Sequence, residues 1–216
     1  MATTLSTLRT QLRYDINELV AKQFSDTLLN QLINKGCQDT AIKTLCCEEW
    51  ATAVNSVAGQ REYAPISVPS GNTIIKVKTV LYDKKALYEI PIKAAGRIHV
   101  NESDLPLGFY QFRSGSSFTI GLDPVPTAGV TNGISCLCAV SAKALSNDAD
   151  QTNIPDYLTH LPLMFAFSLA KFLSGEGVAS AKIMNNYIGL CLRYRPDLIE
   201  FQRDAIEEIK LPLRRV

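Results

Sequence analysis

Apolar positions recur at helical spacing at both ends of the chain and at every second position in the middle. Leu5, Leu8, Leu12, Ile16 and Leu19 stand three or four apart and form one stripe. They predict a helix from Leu5 to about Val20, with Arg9, Arg13, Asp15 and Glu18 largely off the stripe. Ser25 or Asp26 offers a capping oxygen to a second helix, from Thr27 to about Leu45. Its Leu29, Ile33, Cys37, Ala41 and Leu45 repeat every four residues, with Leu28, Leu32 and Ile42 alongside. Gly36 inside this helix costs ~1 kcal/mol relative to Ala. Close approach by a neighbouring helix would account for it.

From Trp50 to Ala142 the period changes to two. Ile75, Val77, Thr79 and Leu81 alternate with Lys76 and Lys78, which predicts a strand with one wet face. Asp83-Lys84-Lys85 forms the turn into a second strand, Ala86 to Ile90. Phe118, Ile120 and Leu122 make another alternating set, stopped by Asp123-Pro124-Val125-Pro126, and Ile134, Cys136, Cys138 and Val140 make the last. Short strands joined by turns imply an antiparallel sheet or small sandwich. Pro91 to Val100 has room for a short helix.

Helical spacing returns at Asn153-Ile154-Pro155-Asp156, where Pro155 suits the first turn of a helix. Leu158, Leu161, Phe165, Leu169 and Phe172 set the stripe, and Pro162 is expected to kink or loosen its start. Ser174-Gly175-Glu176-Gly177 ends that helix. A last helix runs from Val178 to about Tyr194, and the short link makes the two antiparallel neighbours. Pro196 interrupts. Asp197 to Val216 carries mixed charge, with Arg203 and Glu207 placed to pair four apart. Its last six residues are proline-broken and too short to pack alone.

The fold class is therefore α+β: an antiparallel bundle of two N-terminal and two C-terminal helices, a β-rich central insertion and an extended C-terminal arm. Residues 1–195 read as one domain, helical over 1–49 and 153–195 and β-rich over 50–145. Residues 196–216 read as the arm.

Composition narrows the function. The 216 residues are 46% hydrophobic and 20% charged, and 22 Lys and Arg against 21 Asp and Glu leave a formal net charge of +1. That disfavours both a strongly basic nucleic-acid binder and an acidic disordered tail. No secretory signal is visible at the N-terminus, and no uncharged stretch reads as a membrane span. The six cysteines, Cys37, Cys46, Cys47, Cys136, Cys138 and Cys191, include no C-x-x-C pair. They read as buried free thiols of a reducing compartment rather than a zinc site, since only His99 and His160 accompany them.

Catalytic patterns are missing: no G-x-S-x-G, H-E-x-x-H or G-x-x-x-x-G-K-[ST] occurs. Ser114-Gly115-Ser116-Ser117 reads as a polar turn. His160 reads as a satisfied, half-buried histidine rather than a general base. Asp148-Ala149-Asp150 begins like a calcium loop but has Asn153 and Thr159 where Gly and Glu belong. These acids are expected to favour the positive end of the helix that follows. Arg193-Tyr194-Arg195 is the best basic-aromatic cluster. It fits phosphates or a partner carboxylate, or simply a helix C-terminus that favours cations. No enzyme activity, cofactor or metal is implied.

Four stretches together resemble a family of tailed-bacteriophage head-to-tail connector proteins, the adaptors that bind beneath the portal. The first is the opening helix with Leu5-Ser6-Thr7-Leu8-Arg9, followed by Phe24-Ser25-Asp26-Thr27-Leu28-Leu29 starting the next. The second is Val57-Ala58-Gly59-Gln60-Arg61-Glu62-Tyr63, with a Gly-Gln-x-Glu-Tyr core. The third is Ile120-Gly121-Leu122-Asp123-Pro124-Val125-Pro126, and the fourth Ile154-Pro155-Asp156-Tyr157-Leu158 ahead of a helical hairpin. Their order and spacing carry the resemblance, which spans most of the chain. The larger middle and the tail after Pro196 depart from simpler members.

The resemblance implies a structural virion protein at the portal vertex or neck, made in the host cytoplasm. It implies a homo-oligomeric ring, usually of twelve copies, that joins the portal protein to a tail tube or nozzle protein and extends the DNA channel. Portal contacts would then fall in the tail, at Arg203, Ile209, Leu211, Leu213, Arg214 and Arg215. Arg193, Arg195, Lys76 and Lys78 are candidates for subunit contact or for transient, non-specific contact with passing DNA. No membrane is involved. The runner-up readings are a nucleic-acid-binding protein using those same four cations, and another tail-completion ring protein.

Overall fold

A computed structural model describes residues 3–18, 23–94, 105–114 and 117–195. The chain divides into two compact units: one from the described parts of 1–47 and 142–195, the other from those of 48–141. The first is helical and the second β, so the α+β class expected from the sequence holds.

The helical unit contains α1 (Leu5–Asp15), α2 (Asp26–Thr44), α3 (His160–Leu173) and α4 (Gly177–Arg193). Leu5, Leu8 and Leu12 of α1 are buried, as their spacing predicts. The helix is shorter than the expected Leu5-to-Val20 span. Asn17 adopts φ 58°, its N–H donates to Tyr14 O, and Glu18 N–H donates to Arg13 O. This pair of reversed bonds satisfies the last carbonyls and stops the helix. Leu19 and Val20 lie outside the described residues.

Ser25 caps α2, accepting the Leu28 N–H at 3.2 Å. The predicted stripe Leu29, Ile33, Cys37, Ala41 and Leu45 is buried throughout, while Ile42 is exposed. A Cβ on Gly36 would stand 2.5 Å from Pro162 O, so α2 and α3 touch backbone to backbone. The neighbouring helix inferred from the sequence is α3.

Pro162 does not kink that helix. α3 begins at His160, after a separate 3₁₀ turn over Asp156–Leu158. Pro162 is therefore its third residue, where the missing N–H belongs to the unpaired first turn. Pro155 precedes the 3₁₀ turn rather than opening the long helix.

Asp148 and Asp150 also serve a different helix from the one expected. Their carbonyls accept the Ser6 and Leu5 N–H groups at 3.1 and 2.9 Å, at the start of α1. The Asp148 carboxylate takes a two-pronged contact from Arg9, 2.9 Å on each prong. The Asp150 carboxylate accepts the Ser146 and Asn147 N–H groups of its own turn. A loop distant in sequence thus caps the first helix.

The β unit holds β1 (Glu48–Trp50), β2 (Glu62–Ile66), β3 (Ile74–Tyr82), β4 (Lys85–Ala86), β5 (Tyr88–Glu89), β6 (Gly108–Ser114), β7 (Ser117–Asp123) and β8 (Ile134–Val140). They form two sheets, β1-β8-β3-β4 and β2-β7-β6-β5. All pairs are antiparallel except β5 with β6, an exception to the expected antiparallel arrangement. The long connection between those two strands allows the chain to return in the same direction.

The expected strand Ala86 to Ile90 is two strands. Asp83 and Lys84, at φ 46° and 65°, make the tight turn into β4, and Leu87 then carries the chain across to β5 in the other sheet. Within Pro91 to Val100, a 3₁₀ turn covers Ile92–Ala94; residues 95–100 lie outside the described residues.

β3 does not keep the predicted inward set Ile75, Val77, Thr79 and Leu81. Register shifts against β8, between Ile74 and Lys76 and between Val77 and Thr79, change which side chains face inward. Val77 is buried as predicted, but Ile74, Val80 and Tyr82 are buried in place of Ile75, Thr79 and Leu81. β8 keeps its phase, with Ile134, Cys136, Cys138 and Val140 all buried.

Candidate assembly interface

α3 and α4 meet at Ser168 and Ser180 and at Phe165 and Tyr187. Ala166, Ser168 and Ala170 of α3 and Ser180 of α4 are buried, and Ser168 Oγ donates to Ser180 O at 2.9 Å. Leu161 is also fully buried, while the larger residues further along α3 are less covered. Leu163, Met164, Phe165, Phe167 and Leu169 are half-buried, and Phe172 and Leu173 are exposed.

α4 carries two stripes. Ser180, Tyr187 and Cys191 face inward. Tyr187 is fully buried; its ring meets Phe165 edge-on at 5.5 Å and its hydroxyl donates to Asp39 Oδ2 at 2.6 Å. Burial, and then the Asp39 contact, push the phenol pKa up. The other stripe faces solvent: Val178, Ala181, Asn185, Ile188 and Leu192, spaced three and four apart. Val178 is 89% exposed, Phe172 63% and Leu192 52%. The sequence reading missed this second stripe. Its signal was present as a run of apolar residues offset from the buried one.

At the far end of α4, Tyr194 lies 6.4 Å from Tyr157 and 6.2 Å from His160, ring to ring. His160 is exposed, not half-buried as expected, because it is the first residue of α3 rather than an interior one. Arg193 is exposed in the last turn of α4, where a cation favours the helix carbonyl end, and Arg195 is half-buried just beyond it.

The structure does not bring the four candidate cations into one unit. Lys76 and Lys78 lie on β3 of the β unit, both half-buried, and Lys78 forms an ion pair with Glu48. Arg203, Ile209, Leu211, Leu213, Arg214 and Arg215 lie outside the described residues.

Five of the six cysteines are buried and Cys46 is partly exposed. Burial pushes Cys37 and Cys136 up to about 12 and Cys138 to about 11, so these are thiols rather than thiolates. Among the described residues, no group of three or more His, Cys, Asp or Glu is arranged to hold a metal ion. None of the described helices is long and apolar enough to cross a membrane. A cleft of about 390 Å³ between the ends of α1 and α3 has its carboxylates engaged. Glu18 accepts the Gln23 and Phe24 N–H groups, and Glu176 pairs with Lys171.

The outward stripe of α4 is an apolar surface without a partner among the described residues; Tyr14, Trp50, Val57, Tyr88 and Ile92 are exposed elsewhere. No known family model matches the chain, and no curated protein matches its sequence.

Proposed function

We propose that this chain is a non-enzymatic subunit of a ring-shaped assembly, a head-to-tail adaptor of a tailed bacteriophage. The observation that carries the reading is the exposed apolar stripe of α4, where Val178, Ile188 and Leu192 are uncovered, together with Phe172 near the end of α3. An apolar face of this kind on a folded unit marks an interaction site. In a closed ring each subunit offers one face to the opposite face of the next, so modest contacts are multiplied by the number of copies.

The four sequence stretches that resemble portal adaptors supply the rest of the reading. The hairpin meets a neighbouring subunit, and the tail from Pro196 to Val216 reaches the portal. Near-neutral net charge suits a channel wall, because strong phosphate attraction would retard passing DNA in a salt-dependent way.

The test is electron microscopy of the purified chain with purified portal. Rings on the portal support the reading. Phe172→Asp with Val178→Asp is expected to abolish ring closure without unfolding the subunit, since both side chains are exposed. Deleting Leu211 to Val216 is expected to weaken portal attachment while leaving the subunit folded. A chain that stays monomeric and ignores the portal would refute the proposal.

A further inference from the structure

Cys46 and Cys47 follow α2 directly. Leu45 ends that helix in the left-handed region, at φ 54°, and its N–H donates to Ala41 O at 2.9 Å. In an extended chain, adjacent side chains point to opposite faces. Here the two sulfurs stand 3.9 Å apart, in hydrogen-bonding contact. One is reachable and the other is not: Cys46 is partly exposed, whereas Cys47 is buried. Cys47 Sγ also donates to the Asn153 carbonyl at 3.6 Å.

Two further thiols of the helical unit, Cys37 and Cys191, interact electrostatically with Cys46. Both are buried and hydrogen-bonded elsewhere, Cys37 to Thr152 and Cys191 to Tyr187. Cys46 is thus the reachable member of a group of four sulfurs, and Cys47 lies against it. Contact with Cys46, and then burial, raise the Cys47 pKa and hold its proton in place. The first of these causes is the Cys46 thiol itself, which oxidation removes.

We infer that Cys46 and Cys47 form a reversible oxidation site for hydroperoxides, in which Cys46 is oxidised first and Cys47 resolves it. The Cys46 sulfur takes the distal oxygen of the hydroperoxide; an S–O bond forms, the O–O bond breaks, and an alcohol or water leaves. The Cys47 sulfur then attacks the sulfenic sulfur of Cys46. The S–S bond forms, the S–O bond breaks, and the hydroxyl departs as water with the Cys47 proton. The two thiols lose two electrons, and the hydroperoxide gains them. One peptide unit holds the two Cα atoms about 3.8 Å apart, less than the ~4.4 Å at which ordinary disulfides begin. The bridge is therefore strained and readily reduced, as labile rather than structural disulfides are.

The experiment treats the full-length native chain with hydrogen peroxide at neutral pH, then alkylates it, digests it with trypsin and weighs the peptides. Trypsin leaves both cysteines in one peptide, residues 44–61, and places Cys37 and Cys191 in others. In the wild type that peptide is expected to become about 2 Da lighter and to escape alkylation until a thiol reductant restores it. In Cys47→Ser, Cys46 is expected to take up dimedone, or without it to run on to the sulfinic acid, about 32 Da heavier and not restored. Cys46→Ser is expected to leave Cys47 reduced, because burial keeps the peroxide away. A wild-type pair that passes straight to the sulfinic acid would overturn the inference. So would a bridge from Cys46 to the peptide of Cys37 or Cys191, a dimer linked through Cys46, or a peptide that peroxide leaves unchanged. The wild-type measurement decides by itself, whether or not either variant folds, and no outcome bears on the ring reading.

Discussion

The Gln111 side chain pairs with both backbone groups of Val77. Val77 N–H donates to Oε1 at 3.0 Å, and Nε2 donates to the Val77 carbonyl at 3.0 Å. Gln111 lies on β6 in one sheet and Val77 on β3 in the other. The amide therefore acts as one residue of a missing strand along β3, and its second N–H reaches Glu89 at 2.8 Å. Asn34 does the same for Leu145 in the helical unit, at 2.8 and 2.9 Å.

Replacing Gln111 by Leu keeps the bulk and removes the pairing. Val77 is fully buried, so its two groups would be left without partners, a cost of about 1–3 kcal/mol. Urea denaturation should show that loss. An unchanged midpoint would mean that water replaces the amide.

Gly36→Ala reverses the usual expectation. On an exposed helix the change would add up to about 1 kcal/mol of stability. Here the new Cβ meets the Pro162 carbonyl at 2.5 Å, and backbone cannot swing aside as a side chain can. The expected result is a net loss of about 1–3 kcal/mol, as for an overpacked core. A stabilised variant in thermal melts would show that α2 and α3 are not in contact at this point.

Acid should loosen the start of the bundle. Asp148 is held below its usual pKa of 3.8 by Arg9, and Asp26 by Arg13, Arg9 adding to the latter. A carboxylate whose folded pKa is depressed stabilises the fold above its unfolded pKa, and that contribution is lost as pH falls through the folded value. The stability profile should therefore decline below about pH 4. Both carboxylates are largely exposed, so the effect is small and weakens with salt. Asp148→Asn should lower the neutral plateau slightly and flatten the acid limb, leaving stability at the acid end unchanged, read by chemical denaturation across pH.

Base should act through the thiols. Cys37, Cys136 and Cys138 have folded pKa values raised above the ordinary 9.0. Such a group contributes stability that is complete below the unfolded value and lost as pH rises past it. Stability should thus fall above about pH 9. In the native state at neutral pH a maleimide should label Cys46 first, followed by mass spectrometry of the peptides. Equal labelling of Cys37 or Cys138 would contradict their burial.

The sequence by itself determined the succession of elements. Periods of 3.6 and 2 report which side chains face a core, and each is a local property, so two helices, a β-rich middle and two more helices are legible without coordinates. Leu29, Ile33, Cys37, Ala41 and Leu45 needed nothing else, and Gly36 announced a close neighbour. Tertiary structure decided what depends on residues far apart in the chain. Two shifts of β3 against β8 moved the inward set to Ile74, Val77, Val80 and Tyr82, because facing is fixed by pairing as well as by alternation. The carbonyls of Asp148 and Asp150 cap α1, more than a hundred residues earlier, because unpaired N–H groups take whichever acceptor the fold brings. The candidate interface was hidden for the same reason: whether Phe172, Ile188 or Leu192 is core or surface depends on which of two apolar stripes finds a partner, and packing through Ser168 and Ser180 gave it to the other.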